Sequence, residues 1–153
     1  MQDREIIARL MLLNLLRCRR LREKTAGGGL YDGQLPVLEC LIACPGSTQI
    51  QLAERLVVTP ASIAQSTKRL QRAGLIEKRV DESNLRCNRL YATESGVAVA
   101  KSYRQEFDLL DAETLSGLTA QDKKTLADLL ERMIANLNYE KLDYLRPWKE
   151  TDA

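Results

Sequence analysis

The feature that most restricts the fold of this chain is a pair of helical patterns separated by only two residues. Gln49 to Arg55 carries Ile50, Leu52 and Ala53, with Leu56 just beyond, at helical steps. Val57-Val58 follows as a short turn, and Thr59-Pro60 opens a second helix that runs to about Ala73. Thr59 can cap that helix because its hydroxyl oxygen accepts from an amide the first turn leaves unpaired, and Pro60 at the first helical position gives up no hydrogen bond. Gly74 stops it, because glycine enters the left-handed conformation without a Cβ clash. Two helices held by so tight a turn form a helix-turn-helix unit.

The flanking sequence supplies four further helices and a hairpin. Asp3 to Lys24 has Ile6, Ile7, Leu10, Leu13, Leu16 and Leu21 at three- and four-residue steps, widened by Leu12 and Leu15, before Ala26-Gly27-Gly28-Gly29 breaks it. Gln34 to Ala43 reads as a short helix with Pro36 in its first turn and Leu35, Leu38, Leu41 and Ile42 facing inward. Cys44-Pro45-Gly46 ends it, and Ser47 or Thr48 caps the next. After Gly74 the period changes to two: Leu75–Val80 and Arg86–Thr93 are extended, about a polar turn at Asp81-Glu82-Ser83-Asn84. Thr93 caps a long helix to about Leu115, and Thr119 with Asp122 approximates a capping box for a last helix through Leu126, Leu129, Leu130, Met133, Ile134 and Leu137. Tyr139, Tyr144 and Trp148 lie in a tail. Aromatics are only 5% of the 153 residues, so the core must be built of Leu, Ile, Val and Ala. The expected fold is mainly α with a small β-hairpin wing, divided into an N-terminal helix (1–26), a winged helix-turn-helix (30–93), C-terminal helices (94–138) and a tail (139–153).

This order points to DNA. A reading helix must present short polar side chains at its N-terminal turns to the major groove while the preceding helix braces it. Thr59, Ala61, Ser62, Gln65 and Ser66 occupy those turns. Gln65 can pair with adenine through two hydrogen bonds. Lys68, Arg69 and Arg72 lie further along and suit phosphates. On the hairpin, Arg86 near the tip with Lys78 and Arg79 on the first strand suits a narrow minor groove. The net charge of the whole chain is only +2, yet Thr59 to Arg89 holds seven Lys/Arg against three Asp/Glu. Charge alone favours a solvated face; its coincidence with the helix-turn-helix favours a polyanion.

At these residues the chain resembles the MarR family of regulators over nearly its whole length. The resemblance rests on Leu52-Ala53-Glu54-Arg55-Leu56, Thr59-Pro60-Ala61-Ser62, Lys68-Arg69-Leu70, Gly74-Leu75-Ile76 and Arg79, on Asp81, Arg86, Thr93 and Gly96, and on Leu118 to Asp122 leading into Leu129 to Met133. Leu85 stands where the family often has a second Arg, Ala92 stands where it has Leu, and the three-glycine linker is unusual. The resemblance implies a homodimer paired through the first, fifth and sixth helices, bound to an inverted repeat of double-stranded DNA. It implies a repressor released by an effector.

For the effector, a small aromatic or amphipathic molecule is one expectation, with Arg17, Arg20 and Tyr31 as candidate lining. A thiol switch is the alternative, at Cys18 among Arg17, Arg19 and Arg20, or at Cys40 and Cys44 four residues apart. There is no thiol at the start of the first helix, where the family's peroxide sensors have one. With no histidine in the chain, a zinc site of the family's kind, any other metal site and a Ser–His or Cys–His nucleophile are not expected. Gly27-Gly28-Gly29 lacks the Lys-Ser/Thr ending of a phosphate loop, so neither an enzyme nor a cofactor is expected. A helical interaction module without DNA binding is the remaining alternative. The pattern of a secretory signal is absent and the apolar run Leu10–Leu16 is too short to span a bilayer, so a cytoplasmic protein without membrane contact is expected.

Overall fold

The computed structural model describes residues 2–24, 30 and 33–137. Its elements in chain order are α1 (Asp3–Lys24), α2 (Gln34–Ala43), α3 (Gln49–Leu56), α4 (Pro60–Arg72), β1 (Ile76–Asp81), β2 (Asn84–Ala92), α5 (Glu94–Thr114) and α6 (Ala120–Ala135). Tyr31, the three-glycine linker and the tail from Asn138 onward lie outside the described residues.

The helix ends are fixed by the residues that the sequence singles out. Thr48, rather than Ser47, caps α3 in a full capping box: its hydroxyl accepts from the Gln51 amide at 3.3 Å, and Gln51 Oε1 accepts from the Thr48 amide at 2.9 Å. The Ser47 hydroxyl instead donates to the Cys44 carbonyl at 2.7 Å. Thr119 and Asp122 form the second capping box, at the start of α6. At the end of α3, Val57 adopts φ 55° and ψ 42°. The Val58 amide returns to Ala53 O at 3.1 Å and the Val57 amide to Glu54 O at 3.4 Å, the paired bonds of a Schellman stop. A β-branched residue in that left-handed conformation is strained.

One apolar core lies among α2, α3, α4 and the hairpin. Val37, Leu38, Leu41, Leu52, Ile63 and Leu70 are its fully buried side chains, and Leu56, Ile76, Leu90 and Ala100 extend it. The arc of α2 that it uses stops at Leu41: Ile42, expected inside, is 39% exposed. Ile50, part of the apolar pattern of α3, is 66% exposed, because the first turn of α3 borders an open cleft beside the hairpin. The strands are also shifted by a residue or two from the sequence expectation. Leu75 closes the end of α4 through its amide to Leu70 O at 3.0 Å, and Thr93 caps α5, so neither joins a strand.

The hairpin is sewn to the rest on both sides. Gly46 N donates to Leu90 O and Leu90 N to Ser47 O, a bridge between the α2–α3 loop and β2. At the base, the Thr93 amide donates to Leu75 O and its hydroxyl to Gly74 O at 2.7 Å. Gly96, in the first turn of α5, packs directly over the Leu75 carbonyl.

The long helices are attached differently. Glu39 on α2 holds Arg104 on α5 through two hydrogen bonds of 2.6 and 2.7 Å. Arg17 on α1 pairs with Asp111 on α5, while Arg20 and Lys24 reach Glu113 at 3.4 and 3.7 Å. Asp108, one turn before Asp111 on α5, pairs with Arg104 at 3.7 Å. Neither α1 nor α6 buries a residue. No helix among the described residues is long and apolar enough to cross a membrane.

Two stability outcomes follow from the backbone. Val57→Gly should stabilise the protein by about 0.5–1 kcal/mol, the left-handed strain relieved exceeding the added freedom of the unfolded chain. A lower melting temperature in that variant would show that Val57 is not strained. Gly96→Ala would drive a Cβ into the Leu75 carbonyl oxygen, so it should destabilise by about 2 kcal/mol or more in a denaturant titration.

Candidate nucleic-acid interface

Ile63, Thr67 and Leu70 form the buried stripe of α4. Helical spacing then puts Ala61, Gln65, Lys68 and Arg72 on the opposite face, with Ser62 and Arg69 beside them, and all six are exposed. Ser66 is half-buried. The Thr59 hydroxyl accepts from the Ser62 amide at 3.2 Å, so this residue starts the helix as well as bordering the surface. The expected reading residues thus share one continuous face.

The bracing of that face includes a pair that sequence reasoning missed. Gln49 Nε2 on α3 donates to the Thr67 hydroxyl at 2.9 Å, and the same hydroxyl donates to Ile63 O at 2.8 Å. Thr67 is only 2% exposed, so this contact fixes the two helices against each other inside the unit. A threonine at a core position of α4 is the one trace of it in the sequence.

The hairpin divides its charges between two faces. Lys78, Arg86 and Asn88 border a cleft of about 220 Å³ shared with Thr48, Gln49 and Ile50 at the start of α3. Arg79 is on the other face, ion-paired with Glu77 and 4.6 Å over the Tyr91 ring. Its placement differs from that of Lys78 because neighbouring residues of a strand point to opposite sides.

Arg89 acts as a clamp. Its Nε donates to Asp81 Oδ2 at 2.6 Å and its Nη1 to Gly46 O at 3.0 Å, which ties the hairpin to the α2–α3 loop. Asp81 also accepts from the Ser83 hydroxyl at 2.6 Å and the Ser83 amide at 2.9 Å. These Ser83 bonds, and then Arg89, lower the Asp81 carboxyl to about 2. Beyond the clamp the pairing is irregular. Val80 faces Asn88 and Asp81 faces Asn84, so Leu85, Arg86 and Cys87 have no partners in register and bulge from β2.

The effector candidates separate. An open groove of about 490 Å³ lies between α1 and α5, lined by Leu13, Leu16, Arg17, Arg20, Leu110 and Glu113. Arg17 and Arg20 both border it, each already paired with a carboxylate of α5. Of the thiols, Cys40 is buried, whereas Cys18 and Cys44 are half-buried. Cys44 is the C-cap of α2 with non-helical φ −134°, so it does not continue the face of Cys40. A cation that is distant in sequence, Arg55, adjoins both: burial disfavours its charge, but hydrogen bonding to the Cys44 and Cys40 thiols outweighs this and raises its pKa. Among the described residues no cluster of three or more His, Cys, Asp or Glu is arranged to hold a metal.

Comparison with known proteins gives a consistent answer. The MarR family model matches residues 30–88. The HTH-type transcriptional regulator YybA of Bacillus subtilis is 32% identical over 80% of this chain and 81% of its own length. The crystal structure of the transcriptional regulator SlyA superposes with a TM-score of 0.81 at 28% identity, covering 91% of this chain and 98% of that one. MepR of S. aureus, solved as a DNA complex, shares the fold with a TM-score of 0.75 at 21% identity over 84% of this chain and 93% of its own. The chain belongs to the MarR family and is a winged helix-turn-helix, DNA-binding transcriptional regulator.

Proposed function

We propose that the protein is a cytoplasmic repressor that binds an inverted-repeat operator as a homodimer and is released by a small-molecule effector. The observation that carries this reading is the combination of a braced, exposed α4 face with two helices, α1 and α6, that bury no side chain fully among the described residues. On α1, Ile7, Met11, Leu12, Leu15 and Leu16 are 48–63% exposed; on α6, Leu129 is 47% and Leu126 is 37% exposed. Contiguous apolar stripes of this length mark a protein surface that is covered by a partner. A second copy, related by a two-fold axis, would set the two α4 helices about 34 Å apart, one turn of DNA.

The α4 face reads and the hairpin anchors. Gln65 is the residue placed for a bidentate contact to adenine, and Ser62 and Ala61 allow close approach. Lys68, Arg69 and Arg72 bind phosphates, with Lys78 and Arg86 continuing the track onto the hairpin. The groove between α1 and α5 is the effector site this reading favours. An anionic aromatic effector there would compete with Asp111 and Glu113 for Arg17 and Arg20, and so loosen α1 from α5.

The wild-type protein should shift DNA from upstream of its own gene at moderate salt, and binding without sequence preference would sink the proposal. Gln65→Ala should relax base preference at one position in each half-site, costing about 1–3 kcal/mol at each. Lys68→Ala should weaken binding to all duplexes alike and flatten the slope of log affinity against log salt by about two, for the one phosphate per protomer that the dimer leaves without a cation. A charge in the apolar stripes, as in Leu12→Lys with Leu129→Lys, should yield monomers by sedimentation; a dimer persisting at micromolar concentration would place the interface elsewhere.

The Asp81 clamp gives a pH outcome. Its carboxyl falls from 3.8 to about 2 on folding, so its contribution is complete above about pH 4 and is lost as pH drops through about 2. Amide-exchange protection of the hairpin should fade over that window, and Asp81→Asn should remove this pH dependence.

A further inference from the structure

We propose that Leu85 is a specificity-determining residue that reads the DNA minor groove by excluding guanine. This inference rests on the DNA-binding reading above and adds a base preference that the charged residues of the hairpin do not supply. Leu85 is 79% exposed on a strand whose other outward residues at this end are polar, and it directly precedes Arg86. It belongs to the three-residue bulge that breaks the register between Val80/Asn88 and Asp81/Asn84. A bulge bends its strand and re-aims the side chains it carries, and here it pushes an apolar and a basic residue out together. The strand beneath them is held by Arg89 to Asp81 and Gly46, so the pair projects from a fixed support.

The recognition follows from the chemistry of the groove floor. A·T and T·A pairs present only acceptors and the adenine C2–H there, while G·C adds the guanine 2-amino donor. Leucine has no acceptor. Laid against G·C it would strip water from that amino group and give nothing back, whereas against A·T it meets an apolar edge. Arg86 alone would be drawn to the negative potential of a narrow groove, a preference for groove shape. Leu85 adds a direct penalty on one exocyclic group.

The test uses a duplex selected by the wild-type protein from a random pool. The position under the hairpin is located by hydroxyl-radical footprinting of wild type against Arg86→Ala. At that position, A·T, G·C, inosine·C and 2,6-diaminopurine·T are compared. Inosine·C lacks the 2-amino group of guanine, and diaminopurine·T adds it to an A·T pair. Wild type should bind the A·T and inosine duplexes about ten-fold more tightly than the G·C and diaminopurine duplexes. Leu85→Asn, which supplies an acceptor, should abolish or invert that ratio, with no change in melting temperature because the side chain is exposed. Arg86→Ala should weaken all four duplexes and leave the ratio in place. Equal binding of inosine·C and G·C by wild type, or a ratio unchanged in Leu85→Asn, overturns the inference while leaving DNA binding intact. Failure to enrich any sequence overturns both.

Discussion

The three-residue connection between α3 and α4, Val57 to Thr59, is the constraint on which the rest of the structure depends. Val57 takes a left-handed conformation to end one helix, and Thr59-Pro60 starts the next almost at once. The chain has no slack in which to choose another crossing angle. With that angle set, Leu52 on α3 and Ile63 and Leu70 on α4 meet Leu38 and Leu41 of α2 in one core, and Gln49 with Thr67 adds a directional contact. The outward face of α4 is the geometric complement of that burial. Its exposure is therefore as well defined as the core itself.

Much of this was legible from residues alone because local rules decide it. Thr48, Thr59, Thr93 and Thr119 each cap a helix where the sequence placed one, and Gly74 terminates α4 in the left-handed region. The candidate reading face was legible for the same reason: once Ile63 and Leu70 are assigned inside, helical periodicity puts Gln65 and Lys68 outside. The hairpin was less transparent. Alternation predicts opposite faces for Lys78 and Arg79, but not which face meets the α3 cleft, and the bulge resets the parity on β2. Arg89 to Gly46 spans forty-three residues and Arg55 reaches cysteines on another helix, so neither could be read from neighbours in sequence. Ile42 was misplaced because hydrophobicity records only that a residue prefers burial, not whether a neighbouring element arrives to cover it.

The DNA-facing unit and the long helices are joined by contacts of a different character from those inside the core. Glu39 and Arg104 form a largely buried, bidentate pair, so breaking it would leave a charge poorly solvated. The α1–α5 pairs through Asp111 and Glu113 are more exposed and are correspondingly easier to exchange for other anions. The softer connection is therefore at the groove between α1 and α5, and the stiffer one is between α5 and α2. That ordering suits a protein whose output is the placement of α4.

The bare apolar surface of α6 has a consequence for dosage. Among the described residues no side chain of α6 is fully buried, so its apolar face has packing still to gain. Where an identical chain supplies that packing, the amount of assembled protein rises with the square of copy number while the chain is scarce, and only later in proportion to it. A small change in synthesis or turnover is then amplified before any operator is occupied. The threshold for such a response then resides in Leu126 and Leu129 of α6 rather than in the residues of the α4 face.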